Sequence, residues 1–107
     1  MHYNDGDYYN GNFEKDKRNG IGEMHYNNHD YYNGSYIDDK KEGRGKYYYN
    51  DSDYYDGEFK DDKRHGNGKV YNSKNEIRCE GIFKNGKYKA NIWEQVKGIF
   101  NSNPHCY

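Results

Sequence analysis

Apolar and polar positions along this chain recur in two rhythms. The short rhythm is strict alternation. Tyr9, Gly11 and Phe13 share one face of an extended segment, and Tyr8, Asn10, Asn12 and Glu14 share the other. The long rhythm is a repeat of 23 residues. Residues 8–30, 31–53 and 54–76 align block on block. Tyr8, Tyr31 and Tyr54 correspond, as do Tyr9, Tyr32 and Tyr55, and Phe13, Tyr36 and Phe59. Glycines recur as Gly11, Gly34 and Gly57, as Gly20, Gly43 and Gly66, and as Gly22, Gly45 and Gly68. Residues 1–7 match the tail of a block, Met24 to Asp30, and so form a half repeat. Residues 77–90 form a partial fourth block that keeps Gly81 and Phe83 and then loses the pattern, as terminal units of arrays do.

Each block predicts a β-hairpin. In the first, a strand through Tyr9 and Phe13 meets a polar turn at Lys15-Asp16-Lys17-Arg18-Asn19, and a second strand starts near Gly22. Residues 27–30, 50–53 and 72–76 join successive hairpins. One such hairpin cannot bury a core, so the fold class expected is all-β, an elongated solenoid of stacked antiparallel hairpins over residues 1–90. Core candidates are Tyr9, Tyr32, Tyr55, Phe13, Tyr36 and Phe59, with Gly11, Gly34, Gly57 and Gly81 leaving room for a neighbouring ring. Residues 91–107 read as a short capping helix and a frayed tail, because Ile92, Val96, Ile99 and Phe100 follow helical spacing. The alternative role of that helix is docking, including a homodimer through the C-terminal end.

Composition sharpens this picture. The chain has 107 residues, no leucine, and 15 tyrosines among 31% hydrophobic residues. Aliphatics this scarce signal disorder unless tyrosine builds the core. A net charge of −1 argues against a nucleic-acid binder. No apolar run is long enough for a transmembrane helix, and the start lacks a signal-peptide pattern. Two cysteines, Cys79 and Cys106, favour a reducing compartment, with Cys79 a buried inert thiol. The expected location is the cytoplasm, peripheral to a membrane or the cytoskeleton.

The segments Tyr32-Asn33-Gly34-Ser35-Tyr36 and Tyr55-Asp56-Gly57-Glu58-Phe59, with Asp62 to Gly68, resemble the membrane occupation and recognition nexus (MORN) repeat. The resemblance spans residues 1 to about 90. It implies a twisted antiparallel array with an aromatic groove, and roles in scaffolding, protein association or membrane recruitment. It implies no catalytic activity. Two departures stand out: Asn72 takes an aromatic slot, and Cys79 falls where Tyr9, Tyr32 and Tyr55 stand.

Candidate chemistry is sparse. Gly20-x-Gly22 lacks the third glycine and the helix of a nucleotide-binding turn. His25 and His29 lie across a strand end and a loop, which suits no metal. The Asp51-Ser52-Asp53 run lacks the glycine and glutamate of a calcium loop. The pairs Asp38-Asp39 and Asp61-Asp62 sit in turns, away from any sheltered pocket. No cofactor is expected.

Two surfaces remain as candidates. One is the face bearing Tyr8, Tyr31 and Tyr54 with Asn10, Asn33 and Asp56, which either binds a protein partner or stiffens the sheet. The other is the edge of hairpin turns, mildly basic, where Lys84, Lys87 and Lys89 give the last turn a charge of +3. These surfaces define a non-catalytic interaction or scaffolding module, with a weak peripheral adaptor for anionic phospholipid as the alternative. A recognition array of a larger enzyme is the third class.

Overall fold

A computed structural model describes residues 1–3 and 5–90. Eight strands run in sequence order through one antiparallel sheet: β1 Tyr8–Glu14, β2 Lys17–His25, β3 Tyr31–Ile37, β4 Lys40–Tyr48, β5 Tyr54–Lys60, β6 Lys63–Tyr71, β7 Ile77–Lys84 and β8 Lys87–Ala90. The expected stack of hairpins is therefore an edge-to-edge meander, 47 × 26 × 19 Å. The expected helix and tail at 91–107, and with them the homodimer through that end, lie outside the described residues.

The hairpin turns are tighter than the polarity of residues 15–19 suggests. Both central residues have positive φ at Lys15-Asp16, Asp38-Asp39, Asp61-Asp62 and Asn85-Gly86. This is the two-residue primed turn whose twist matches that of the flanking strands. The second strand of the first hairpin thus starts at Lys17, and Arg18 belongs to the sheet rather than to the turn. Opposite Asn12, between the pairs Gly11↔Gly22 and Phe13↔Arg18, the second strand carries extra residues in a bulge. Gly20 sits in that bulge at φ 98°, a conformation side chains rarely adopt. The Asn12 carboxamide oxygen accepts from the bulged Ile21 N–H at 3.1 Å, and Glu58 does the same for Asn67 at 2.8 Å.

One face of the sheet buries the core. Tyr9, Tyr32, Tyr36, Tyr55, Phe59 and Phe83 are buried there, with Met24, Val70 and Cys79. The rings interlock edge to face in a zigzag. Tyr9–Tyr36, Tyr36–Tyr32, Tyr32–Phe59, Phe59–Tyr55 and Tyr55–Phe83 have centroids 5.0–5.3 Å apart. Tyr9, Tyr32 and Tyr55 also fold back over their own strands, whereas Tyr36 does not. Tyr9, Tyr32 and Tyr55 donate their hydroxyls to the carbonyls of Asn12, Ser35 and Glu58 at 2.9, 2.9 and 2.7 Å. A Cβ on Gly22, Gly45 or Gly68 would collide with those rings. The glycines thus make room for a ring, and that ring belongs to the tyrosine of the same hairpin.

Two expectations fail here. Phe13 is 42% exposed, whereas its counterparts Tyr36 and Phe59 are 1% and 5% exposed. Among the described residues, only Met1 and His2 meet the outer edge of β1, at Tyr8 and Tyr9, and the Phe13 ring packs edge to face on Tyr9, at 5.0 Å, with no strand among them on its outer side. Cys79 is buried in its aromatic slot as expected, but it is disulfide-bonded rather than a free thiol.

Candidate interaction surface

The face opposite the core carries a row of rings that crosses six strands. His2, Tyr8, His25, Tyr31, Tyr48, Tyr54 and Tyr71 follow one another with centroids 4.6, 5.9, 4.7, 5.5, 5.2 and 4.7 Å apart. The register makes this row. Tyr8 faces His25, His25 faces Tyr31, Tyr31 faces Tyr48, Tyr48 faces Tyr54, and Tyr54 faces Tyr71. Strand pairing sets neighbouring Cβ atoms about 5 Å apart, so rings at facing positions must touch.

Tyr8, Tyr31 and Tyr54 are thus rungs of one ladder, but they do not touch each other. Residues of the even strands stand between them. His25, Tyr48 and Tyr71 also recur every 23 residues, and that spacing was the available signal for them. Burial pushes the Tyr31 phenol above its ordinary pKa, and the charge of Glu23 pushes it further.

Beside the ring row runs a polar row made of Asn10, Glu23, Asn33, Lys46, Asp56, Lys69 and Glu80, each facing the next across the sheet. Asn10, Asn33 and Asp56 lie in it as expected. Asp56 pairs with Arg44 at 3.5 Å, and Lys69 pairs with Glu80 at 3.6 Å.

The turn edge behaves differently from a free basic edge. Arg18, Lys41 and Arg64 occupy equivalent positions and point over the core rings. The Arg18 guanidinium lies 5.2 Å from the Tyr36 centroid and 5.9 Å from that of Tyr9. The Lys41 ammonium lies 5.5 Å from Tyr26 and Tyr32 and 5.7 Å from Tyr47. Arg64 lies 5.0 Å from Phe83 and 5.7 Å from Tyr55. The next turn clamps each cation. Asp39 accepts from the Arg18 backbone N–H at 2.8 Å and from Nε at 3.0 Å, while its own N–H donates to the Arg18 carbonyl. Asp62 accepts from the Lys41 N–H at 2.9 Å. The backbone hydrogen bond from Arg18, with its guanidinium, holds the Asp39 carboxyl below the usual range.

One carboxylate of each of these acidic pairs is therefore a structural bracket, and three of the basic residues cover the core. Lys84, Lys87 and Lys89 remain exposed on the last hairpin. Their turn, Lys84-Asn85-Gly86-Lys87, is the one of the four that contains no carboxylate.

The connecting loops are stitched to each other in the same way. Asp7 accepts from the Asn27 N–H and Asp30 from the Asn50 N–H, both at 2.8 Å. The second Asp30 oxygen accepts the Tyr47 hydroxyl at 2.9 Å. His25 stands in the ladder, away from the loop of His29. Among the described residues, no three His, Cys, Asp or Glu side chains gather to hold a metal. No helix among them is long and apolar enough to cross a membrane.

Compared with known families, residues 9–31, 32–54 and 55–74 each match the MORN repeat. No curated protein matches the chain.

Proposed function

The chain belongs to the MORN repeat family, and we propose that it serves as a non-catalytic module that holds a protein partner against its ring ladder. The observation that carries this reading is the unbroken row of seven rings on the face away from the core. Stacked tyrosines offer a large apolar contact at low ordering cost, with hydroxyls at the tips. The polar row beside them sets alternating charge along one flank. A partner that fits both rows has an apolar stripe next to residues of mixed charge. A repeated contact also lets several weak rungs act together.

The test separates binding from stiffening. A photo-crosslinking residue at Lys46 captures a partner from cell extract, and the same capture is repeated with Tyr31→Ala and Tyr48→Ala. The expected result is capture reduced about tenfold, with a melting temperature within a few degrees of the unaltered protein. Unchanged capture with a lowered melting temperature would make the ladder a stiffener only.

The carboxylate-free turn favours a second, local reading: weak contact with anionic phospholipid through Lys84, Lys87 and Lys89. Such contact is electrostatic, so it should fall away between about 0.15 and 0.5 M salt. Replacing the three lysines by Glu should remove vesicle binding. Salt-resistant binding by the Glu variant would contradict this reading.

A further inference from the structure

The repeats fill equivalent space differently on the core face, and the difference leaves a cavity. In the second full repeat, Tyr47 lies 5.7 Å from Tyr26, 5.0 Å from Tyr49 and 5.7 Å from the Lys41 ammonium, and its hydroxyl reaches Asp30. Twenty-three residues on, the counterparts of Tyr26, Lys41 and Asp30 are Tyr49, Arg64 and Asp53, all retained in kind. The counterpart of Tyr47 itself is Val70, and that of Tyr49 is Asn72. Two rings are thus missing from a frame that otherwise persists. A cavity of about 380 Å³ lies there, lined by Val70, Tyr49, Asn50 and Arg64 with the carboxylates of Asp30, Asp51 and Asp53.

We infer that this cavity binds a phenol, in the pose that Tyr47 takes one repeat earlier. The ring stacks against Tyr49 and lies beside the Arg64 guanidinium, as Tyr47 lies beside Lys41. The hydroxyl donates to the Asp53 carboxylate, as Tyr47 donates to Asp30. Asp53 keeps its ion pair with Arg78, at 3.4 Å, on the other side. A cavity of this size holds a small ring with room for its attachment. The frame specifies a phenol over a plain ring because a carboxylate at the far end calls for a hydroxyl donor. It disfavours an anionic ring because the described lining carries three carboxylates, Asp30, Asp51 and Asp53, beside the Arg64 cation.

The test is a titration of the unaltered protein, read from the Val70 methyl and neighbouring amide resonances. The probes are p-cresol, toluene and N-acetyltyrosinamide. p-Cresol should saturate the shifts at Val70 and Asp53 and bind about tenfold tighter than toluene, the difference expected for a hydrogen bond to a carboxylate. The third probe distinguishes the sources. Shifts with N-acetyltyrosinamide support a tyrosyl side chain of a partner as the ligand, and shifts with p-cresol alone support a free phenol.

Val70→Tyr supplies the missing ring from within. That variant should raise the melting temperature by a few degrees and abolish p-cresol binding. Equal affinity for toluene and p-cresol, no shift at Val70, or full p-cresol binding by Val70→Tyr would each overturn the inference. The ladder lies on the opposite face, so failure here leaves the capture experiment on Tyr31 and Tyr48 undecided, and the reverse holds too.

Discussion

Tyr31 and Tyr32 are neighbours of one type in one strand, yet they do different work. Tyr32 is fully buried, its ring locked edge to face between Tyr36 and Phe59 and its hydroxyl tied to the Ser35 carbonyl. Tyr31 is partly exposed and leans on His25 and Tyr48 in a row of rings. The pleat alone separates them, because successive side chains point to opposite faces. Among the described residues, no second layer covers either face of the sheet. The core face closes by folding its tyrosines flat over glycines and capping them with Arg18, Lys41 and Arg64. Among the described residues, the rings of the ladder face pack on one another across the strands.

The comparison can be broken most forcefully with alkali. Burial raises the pKa of Tyr32, Tyr36 and Tyr55 well above the ordinary phenol value. Below pH 10 both folded and unfolded states keep these protons, and the full stability is present. As pH rises past 10 the unfolded chain ionises first, so stability is lost until the folded pKa is passed. Each phenol contributes about 1.4 kcal/mol per pH unit in that window. Three together should make denaturant midpoints fall steeply between pH 10 and 11. A flat profile there would mean the core tyrosines are not shielded.

Within the core face, position in the array should matter next. Phe59→Ala should cost about 3–5 kcal/mol, because its ring is interlocked with Tyr32 and Tyr55. Phe13→Ala, at the uncovered edge of β1, should cost under about 1 kcal/mol by the same chemical denaturation. Equal costs would place Phe13 in a covered core.

Gly34→Val sharpens the comparison at the backbone. A Cβ there would lie 2.5 Å from the Gly45 Cα and 2.6 Å from the Tyr32 hydroxyl oxygen. The strand pair must spread, at about 1–3 kcal/mol. Full stability in this variant would show that the tyrosine does not lie over the glycine pair.

The smallest effect has the opposite sign. Tyr36 stands where Phe13, Phe59 and Phe83 stand, and among the described residues its buried hydroxyl has no well-formed hydrogen bond, with only the Tyr26 phenol close to it. Tyr36→Phe should therefore stabilise the protein, by up to about 1 kcal/mol. A clear loss in a thermal melt would reveal a partner for that hydroxyl.

Much of this was legible in the sequence, and the reasons are physical. Strand and glycine positions followed from alternation and the 23-residue spacing, which report on faces and on close approach. The turn boundaries did not follow. Lys15-Asp16 adopts positive φ without a glycine to announce it, so the polar run from Lys15 to Asn19 reads as a five-residue turn. That misplacement hid the inward aim of Arg18, since a cation over an aromatic ring reads as a surface charge. The even-strand rungs of the ladder needed the register, because His25 and Tyr48 meet Tyr31 only across strands. The cavity needed both packing and repeat, since Val70 for Tyr47 is unremarkable until the retained Asp53 and Arg64 are seen around it.

The central claim is that one face holds the fold together while the other leaves its rings free to bind. Equilibrium unfolding of Tyr31→Ala and Tyr32→Ala, measured side by side in one denaturant, tests it most directly. The account predicts a loss of about 3–5 kcal/mol for Tyr32→Ala and about 1 kcal/mol or less for Tyr31→Ala. Losses of similar size at the two neighbours would contradict it.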